Sequence, residues 1–264
     1  MAKAIKDGIY YDMPPEQYYA SDALGSSKLK AFAESPLHYQ KFHMEEDSES
    51  LAFGRAAHMY VLEGAEMFHK HYAIMPEKMI RRGKDYEIFI ARNPGRDIIS
   101  ASNFEHILGM QKQLMHSEAA KYIMMQGFTE VSLFWTGKKN KIKCKGRLDK
   151  LILRENIDLI VDYKTTVSAE EYKCARAMSD WKYWLQEAHY GTGYHQLTKR
   201  DCEFLFIFQE KTAPYDVCLM RMTDESSPIA YQKHLELMAK LKCCLVNKDF
   251  PGRNTGIKEW SFRE

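Results

Sequence analysis

The chain has 264 residues, of which 45% are hydrophobic and 12% aromatic, and its formal net charge is +2 at pH 7. This length suits one large domain or two small ones, and this composition is typical of a globular protein with a sizeable core. The near-neutral charge excludes a global basic field, so a polyanion would have to bind in a local groove.

The six cysteines are scattered, without a CxxC pair or a zinc-binding spacing, and the adjacent Cys243 and Cys244 suit a disulfide framework poorly. Reduced thiols in a cytoplasmic protein are therefore expected. The first 17 residues lack the apolar core of a signal peptide, and no run of residues approaches the length of a membrane span.

The first fifty residues predict an arm followed by a helix. Residues 1–25 are rich in aromatic and turn-forming residues, which is typical of a surface-packed arm. Ser26 and Ser27 then offer a helix N-cap, and Leu29 and Phe32 recur at helical spacing.

Residues 51–64 predict a second helix, which Gly64 ends. Gly54 and His58 lie four residues apart and share one face of it. Glycine inside a helix costs about 1 kcal/mol against alanine, so a close approach of another backbone is its expected use. A lone histidine on an apolar helix is more often a core residue, so His58 becomes a candidate metal ligand only together with the motifs below.

The middle of the chain concentrates positive charge and then predicts a long helix. A phosphate-contacting loop and a solvated connection are equally good interpretations of the basic residues, which are Arg81, Arg82, Lys84, Arg92 and Arg96. Residues 102–125 predict a helix that Gly127 ends.

Three strands in series then predict an antiparallel meander. Residues 128–135 place Val131 and Leu133 on one face and Glu130 on the other. Glu130 is either a site carboxylate or an ordinary strand-end charge, and the second interpretation is slightly favoured. Residues 142–166 supply the other two strands, as apolar runs separated by a polar bend.

The last of these strands ends in the polar sequence Asp162-Tyr163-Lys164. Asp162 and Lys164 share a face, and a tight turn at residues 155–156 would place Asp149 opposite Asp162. Two close carboxylates require a cation, and Mg²⁺ suits such ligands. An isolated D-x-K is nevertheless more often a solvated salt-bridge cluster than a site.

The remainder of the chain predicts helices and two further strands. Residues 168–171 match a capping box, and Ser179 and Asp180 can cap a helix that presents Gln186 and Tyr190 on one face. For that pair alone, a half-buried amphipathic face is favoured over an active-site cleft. Residues 203–209 and 216–222 predict strands, and residues 226–246 predict a final helix.

The expected fold class is α/β, of mixed α+β type, with a central mixed sheet flanked by helices. We expect a single domain over residues 1–264. Its parts are an N-terminal arm and helix (1–50), a catalytic core (51–222) and a C-terminal helix and tail (223–264).

The order of four motifs is more informative than any one of them. Gly54-xxx-His58, Gly146-xx-Asp149, Asp162-Tyr163-Lys164 and Gln186-xxx-Tyr190 follow one another along the chain. This series resembles the PD-(D/E)xK nuclease superfamily, in its RecB-like branch. The segments DGIYYDMPPEQYY and SSKLKAFAESPLHY more particularly resemble the nuclease domain of the RecE (exonuclease VIII) family of prophage recombination systems.

The resemblance implies a restriction-endonuclease-like core and a role for each motif residue. His58, Asp149 and Asp162 would bind Mg²⁺, or Mn²⁺ in its place, with the Tyr163 carbonyl as a further ligand. Lys164 would serve the attacking water. Gln186 and Tyr190 would shape the catalytic site and hold the DNA end. Glu130 matches the family's upstream acid only loosely.

The resemblance also implies an activity and partners. These are 5′→3′ digestion of linear double-stranded DNA from its ends, 3′ tails for a RecT-like single-strand annealing protein, and a homo-oligomeric ring. Relatives with an iron–sulfur cluster use a cysteine before the histidine motif. No cysteine precedes Cys144 in this sequence, so no cluster is expected.

Two other functions fit the same motifs. One is a structure-specific or restriction-type endonuclease of the same superfamily. The other is a catalytically silent DNA-binding protein, although such a protein would not need to keep Asp162 and Lys164. An iron oxygenase is disfavoured, since no H-x-D/E pair stands where a facial triad needs it.

Overall fold

The computed structural model describes residues 5–43, 48–253 and 256–257. These residues form eight strands and ten helices. In chain order they are β1 (Gly8–Tyr10), α1 (Pro15–Tyr19), α2 (Ser26–Glu34), α3 (Pro36–Gln40), α4 (Glu49–His71), β2 (Tyr72–Met75), α5 (Lys84–Ala91), β3 (Asp97–Ser100), α6 (Ala101–His116), α7 (Glu118–Met124), β4 (Phe128–Thr136), β5 (Lys143–Ile152), β6 (Asp158–Thr166), α8 (Glu171–Asp180), α9 (Tyr183–Thr198), β7 (Cys202–Glu210), β8 (Val217–Met220) and α10 (Ser226–Asn247).

Six strands form a central mixed sheet in the order β1-β4-β5-β6-β7-β8. The predicted meander β4-β5-β6 is antiparallel throughout, whereas β6 and β7 run parallel. A parallel pair needs a long crossover, and α8 and α9 supply it. The predicted fold class, a mixed sheet flanked by helices, is therefore confirmed.

The sheet carries a hydrophobic core on each face. Neighbouring residues of β6 divide between the two cores, with Ile160 in the first and Val161 in the second. The first core also contains Leu29 of α2 and Leu185 of α9, and the second contains Ile107 of α6. This arrangement follows from the alternation of side chains along a strand. None of the described helices is long and apolar enough to cross a membrane.

The predicted register between β5 and β6 is confirmed, but the predicted turn is wrong. The pairs run from Ile152–Leu159 to Lys150–Val161, in the predicted register, and the ladder stops one residue short of Asp149 and Asp162. The strands are joined by the five residues 153–157 instead of a two-residue turn. Within this connection the Arg154 backbone N–H donates to Asp158 Oδ1 at 2.9 Å.

One predicted helix end is confirmed and another predicted helix is divided. The helical segment that begins at Glu49 ends at Gly64, as expected, because the φ of 86° and ψ of 175° at Gly64 are not helical. A second helical segment, which packs Phe68 into the second core, follows Gly64 within α4. The helix predicted over residues 102–125 is split, because the Ser117 side chain accepts a hydrogen bond from the Ala120 N–H and begins α7 there.

Both predicted caps in the crossover are wrong. The helix α8 begins at Glu171 without a side-chain cap, and the Ser168 hydroxyl instead accepts a hydrogen bond from the Glu170 N–H. Asp180 ends α8, and α9 begins at Tyr183 after Lys182 adopts a left-handed φ of 50°. Capping patterns describe local preference, and the packing of the crossover on the sheet overrides it here.

Two features have no counterpart in the predictions. The N-terminal arm contributes β1, an edge strand that pairs with β4. The arginine-rich region forms a small parallel sheet, with β2 paired to β3 and α5 between them. No residue of α5 is buried, whereas Tyr72 of β2 and Ile99 of β3 pack in the second core, so only α5 is a solvated excursion.

A buried ion pair at the far end of β6 gives a prediction for stability. Asp158 is fully buried and accepts hydrogen bonds from Tyr194 Oη at 2.7 Å and from Arg200 Nε at 2.6 Å. Burial favours the neutral acid, but these donors and the Arg154 N–H outweigh it and lower the pKa of Asp158 to about 2. This stabilisation is present above the ordinary pKa of 3.8 and is lost as the pH falls towards 2.

We expect Asp158→Asn to lower the free energy of unfolding by about 1–2 kcal/mol at pH 7, after allowance for solvent around Arg200. The difference between variant and wild type should shrink as the pH falls through 3. Urea unfolding at pH 7 and pH 3 measures both values, and equal stability at pH 7 would contradict the assigned role.

Candidate active site

The centre of the site lies where the ladder between β4 and β5 is interrupted. Thr129 pairs with Lys150 and Val131 pairs with Leu148, but the position between them, Glu130 opposite Asp149, is unpaired. Glu130 has φ 55°, a left-handed conformation that is uncommon for a residue other than glycine. Strained backbone of this kind is concentrated at functional sites.

The alternation of β5 also fails at this level. Leu148 and Leu151 are three residues apart, and strict alternation would place them on opposite faces, yet both pack in the first core. The irregularity falls at Asp149 and Lys150. It frees the Asp149 carboxylate to accept a hydrogen bond from the Tyr163 backbone N–H at 2.7 Å. β5 and β6 therefore separate beside Asp149.

The histidine of α4 reaches both of these acids. His58 Nε2 lies 3.0 Å from Asp149 Oδ2, and His58 Nδ1 lies 3.3 Å from Glu130 Oε1. One ligand atom from each of the three residues lies within 4.8 Å of the others, close enough to hold one metal ion. We call these residues the His58–Glu130–Asp149 group. Glu130, for which an ordinary strand-end charge was slightly favoured, belongs to this group.

The electrostatics of the group favour a cation. Burial acts to lower the pKa of His58, but the carboxylates of Asp149 and Glu130 outweigh it and raise the pKa to about 9. Burial, together with Asp149, raises the pKa of Glu130 against the opposing charges of His58 and Arg147. Two carboxylates and an imidazole are suitable donors for Mg²⁺ or Mn²⁺, so the residues fit the expected divalent ion.

A second cluster carries the DxK motif. Asp162 is 2% exposed. Its Oδ2 forms an ion pair with Lys164 Nζ, and among the described residues no donor has hydrogen-bond geometry toward this oxygen. Gln186 Nε2 donates to the other oxygen, Oδ1. Burial raises the pKa of Asp162, Lys164 opposes the shift and Asp149 adds to it, so the two aspartates affect each other.

Asp162 lies outside the His58–Glu130–Asp149 group. Its predicted role as a metal ligand therefore stays a prediction, as does that of the Tyr163 carbonyl. The structure does bring His58 to Asp149, and Lys164 to Asp162, so the predicted motif residues meet in one region of the fold.

The two residues predicted on α9 also reach this region. Gln186 binds Asp162, and the buried Tyr190 shares a hydrogen bond with the Ser26 hydroxyl at 3.2 Å. A side chain on Gly146 would place its Cβ only 2.8 Å from Tyr190 Cδ1. The glycine of the GxxD motif thus makes room for the tyrosine of the QxxxY motif.

The sequence interpretation missed Lys30. Its Nζ donates to Gln186 Oε1 at 3.0 Å and lies 4.6 Å from the centroid of the Tyr183 ring. Burial, together with Lys164, lowers the pKa of Lys30 to about 7. Lys30 lies four residues after Ser26, which also faces α9, and this spacing could have indicated that both residues share one face of α2.

Arg147 is the second residue that was missed. Its Nε contacts the Glu130 carboxylate, and its Nη1 donates to the Ser132 hydroxyl at 2.9 Å and to the Met13 carbonyl at 3.1 Å. These bonds fix Glu130 and join the N-terminal arm to the site. Arg147 lies within the GxxD motif, but the motif alone assigns it no partner.

Comparisons with known proteins are consistent with this geometry. A family model described as a PDDEXK-like domain of unknown function (DUF3799) matches residues 25–259. The fold is similar to a crystal structure from Eubacterium rectale, provisionally named an exonuclease, with a TM-score of 0.61 and 17% identity over 96% of each chain.

A second solved structure, that of SSO0001, covers 83% of this chain and 86% of that one at 15% identity, but its TM-score of 0.29 is too low to bear on the fold. No curated protein matches the sequence significantly.

Proposed function

This chain belongs to the family of PDDEXK-like domains of unknown function that matches residues 25–259, and we propose that it is a divalent-metal-dependent nuclease. The observation that carries the proposal is the meeting of the His58–Glu130–Asp149 group with the Asp162–Lys164 ion pair beside Gln186. Metal-assisted hydrolysis of a phosphodiester needs a site for the cation, a group that orients water and a fixed frame around them. These residues are suited to each of the three tasks.

The side chains divide the work as follows. His58, Glu130 and Asp149 would hold Mg²⁺ or Mn²⁺, which supplies positive charge to stabilise the phosphoryl group under attack. Lys164 presents an ammonium next to Asp162, where it orients the attacking water. Gln186 donates to Asp162 and so fixes the direction of that carboxylate.

The substrate and polarity are the finer part of the proposal. From the resemblance of the motif series to the RecB-like branch, we propose digestion of linear double-stranded DNA from its ends, in the 5′→3′ direction. The products would be 3′ single-stranded tails for a RecT-like annealing protein in prophage-type recombination. A ring of several copies would surround the DNA, which would let a chain of near-neutral charge hold a polyanion through several modest contacts.

A digestion series tests this function. Linear duplexes labelled at the 5′ or the 3′ end are incubated with the protein, with Mg²⁺ and with EDTA, beside a covalently closed circular duplex of the same sequence. We expect early release of the 5′ label with Mg²⁺, no release with EDTA, and an intact circle. Cleavage of the circle would identify an endonuclease instead, and DNA binding without turnover under Mg²⁺ or Mn²⁺ would identify a silent binding protein.

A further inference from the structure

An exposed aromatic ring lies beside the candidate active site. Tyr19, the last residue of α1, is 61% exposed. A single exposed aromatic residue is ordinary on a protein surface. Tyr19 differs from the others in what supports its ring and in which charges surround it.

The Tyr19 ring packs on residues that connect it to the His58–Glu130–Asp149 group. The Tyr19 ring packs edge-to-face on the buried Tyr18 ring, with centroids 5.2 Å apart. Lys145 Nζ lies 4.7 Å from the Tyr18 ring and donates to the Tyr18 carbonyl at 2.9 Å. The Arg147 guanidinium lies 5.7 Å from the same ring and contacts Glu130. Tyr19 is thus connected to Glu130 through Tyr18 and Arg147.

The charges around Tyr19 support the same placement. Packing around its hydroxyl raises the pKa of Tyr19, and the nearby carboxylates of Glu130 and Asp149 add to this shift while Arg147 opposes it. Two of the three members of the His58–Glu130–Asp149 group therefore contribute to the electrostatic environment of this side chain. The ring itself remains largely open to solvent.

We infer that Tyr19 stacks on the nucleobase of the nucleotide whose phosphate lies at the His58–Glu130–Asp149 group. The inference rests on the proposed nuclease function and adds a substrate contact to it. Every base offers a π-face, so such a contact tolerates any sequence. Within a duplex both faces of a base are covered by its neighbours, whereas a terminal base has a free face, so Tyr19 would engage the end of the DNA.

The test compares Tyr19→Ala and Tyr19→Phe with a matched control, Tyr122→Ala. Tyr122 is an equally exposed tyrosine, at 68%, on the separate helix α7. On linear duplex DNA we expect Tyr19→Ala to raise KM about tenfold, whereas Tyr19→Phe and Tyr122→Ala remain within about twofold of wild type. A wild-type KM for Tyr19→Ala would overturn the inference.

A substrate with an abasic terminal nucleotide separates stacking from other effects of the mutation. The activity of wild type should be about tenfold lower on this substrate than on the intact duplex, whereas the activity of Tyr19→Ala should be the same on both. If Tyr19→Ala instead lowers activity by the same factor with and without the base, the tyrosine acts through the fold and the stacking contact is wrong.

A binding measurement distinguishes this inference from the proposed function. Duplexes with a terminal 2-aminopurine are titrated with wild type and Tyr19→Ala in Ca²⁺. We expect quenching of the fluorescence by wild type and at least a fivefold smaller effect with Tyr19→Ala. Quenching by wild type without cleavage in Mg²⁺ or Mn²⁺ would support the stacking contact and contradict the nuclease function. Cleavage without any Tyr19-dependent quenching would support the nuclease function and contradict the stacking contact.

Discussion

Replacing Asp149 with asparagine is expected to lower kcat for Mg²⁺-dependent DNA hydrolysis by about 10³-fold or more, since loss of the ion removes several kcal/mol of transition-state stabilisation. Asp149 contacts His58 and accepts a hydrogen bond from the Tyr163 backbone N–H, so it joins β6 to the group. Asparagine has nearly the same shape, and its carbonyl can still accept the Tyr163 N–H. The variant should therefore fold while losing the negative charge that a divalent cation requires.

The matched control is Asp158→Asn, a second buried aspartate in the same sheet that has no contact with the group. It should reduce stability while leaving kcat per folded molecule unchanged. Calorimetric titration with Mn²⁺ reports binding directly, with an expected loss of at least tenfold in affinity for Asp149→Asn alone. If folded Asp149→Asn binds Mn²⁺ and digests DNA as well as wild type does, the His58–Glu130–Asp149 group is not the metal site.

The parts of the site that could be predicted from the sequence are those governed by local periodicity. The period of two along β5 and β6 predicted the register of the pairs from Ile152–Leu159 to Lys150–Val161, and the period of four along α9 predicted a shared face for Gln186 and Tyr190. The register holds as far as Lys150, and the alternation of β5 fails at the next residue, Asp149.

The parts that could not be predicted depend on breaks in those regularities or on distant partners. Glu130 enters the group through a left-handed backbone conformation inside a strand, which no residue preference indicates for glutamate. Lys30 is positioned at the site by its hydrogen bond to Gln186, which lies 156 residues away along the chain.

Lys164→Met is expected to lower kcat by about 10²–10³-fold while changing the affinity for DNA less than tenfold. Lys164 Nζ contacts Asp162 and lies 5.0 Å from the centroid of the Tyr183 ring. Burial acts to lower the pKa of Lys164, but Asp162 and Asp149 outweigh it and raise the pKa, so the metal-free protein holds an ammonium. Methionine keeps the length of the side chain and removes this charge.

The control for this variant is Lys173→Met. Lys173 also pairs with an acid, Glu170, and lies 5.6 Å from the ring of Tyr172, but all three are on the surface of the crossover. The arrangement matches that of Lys164 apart from burial and the neighbouring metal group. We expect Lys173→Met to keep wild-type kcat and stability. An equal loss of kcat in both variants would show that the charge does not act through the site.

Lys164→Met should also make stability depend on pH in a defined direction. Without Lys164, Asp162 is a buried carboxyl whose folded pKa lies further above its ordinary value of 3.8. A carboxyl whose pKa is higher in the folded than in the unfolded protein favours folding fully only below its unfolded pKa. This contribution is lost as the pH rises through the folded pKa, because the charged form must then be buried. The variant should therefore lose more stability at pH 8 than at pH 5.

The loss at pH 8 should remain below the ~3–5 kcal/mol that follows when a buried charge loses its only partner, because Gln186 still donates to Asp162 and Lys30 still lies nearby. Thermal unfolding of wild type and variant at the two pH values, in EDTA, gives the comparison. If the variant is destabilised equally at both, the loss of Lys164 does not change the protonation of Asp162 between pH 5 and pH 8, which would contradict the expected effect on its pKa.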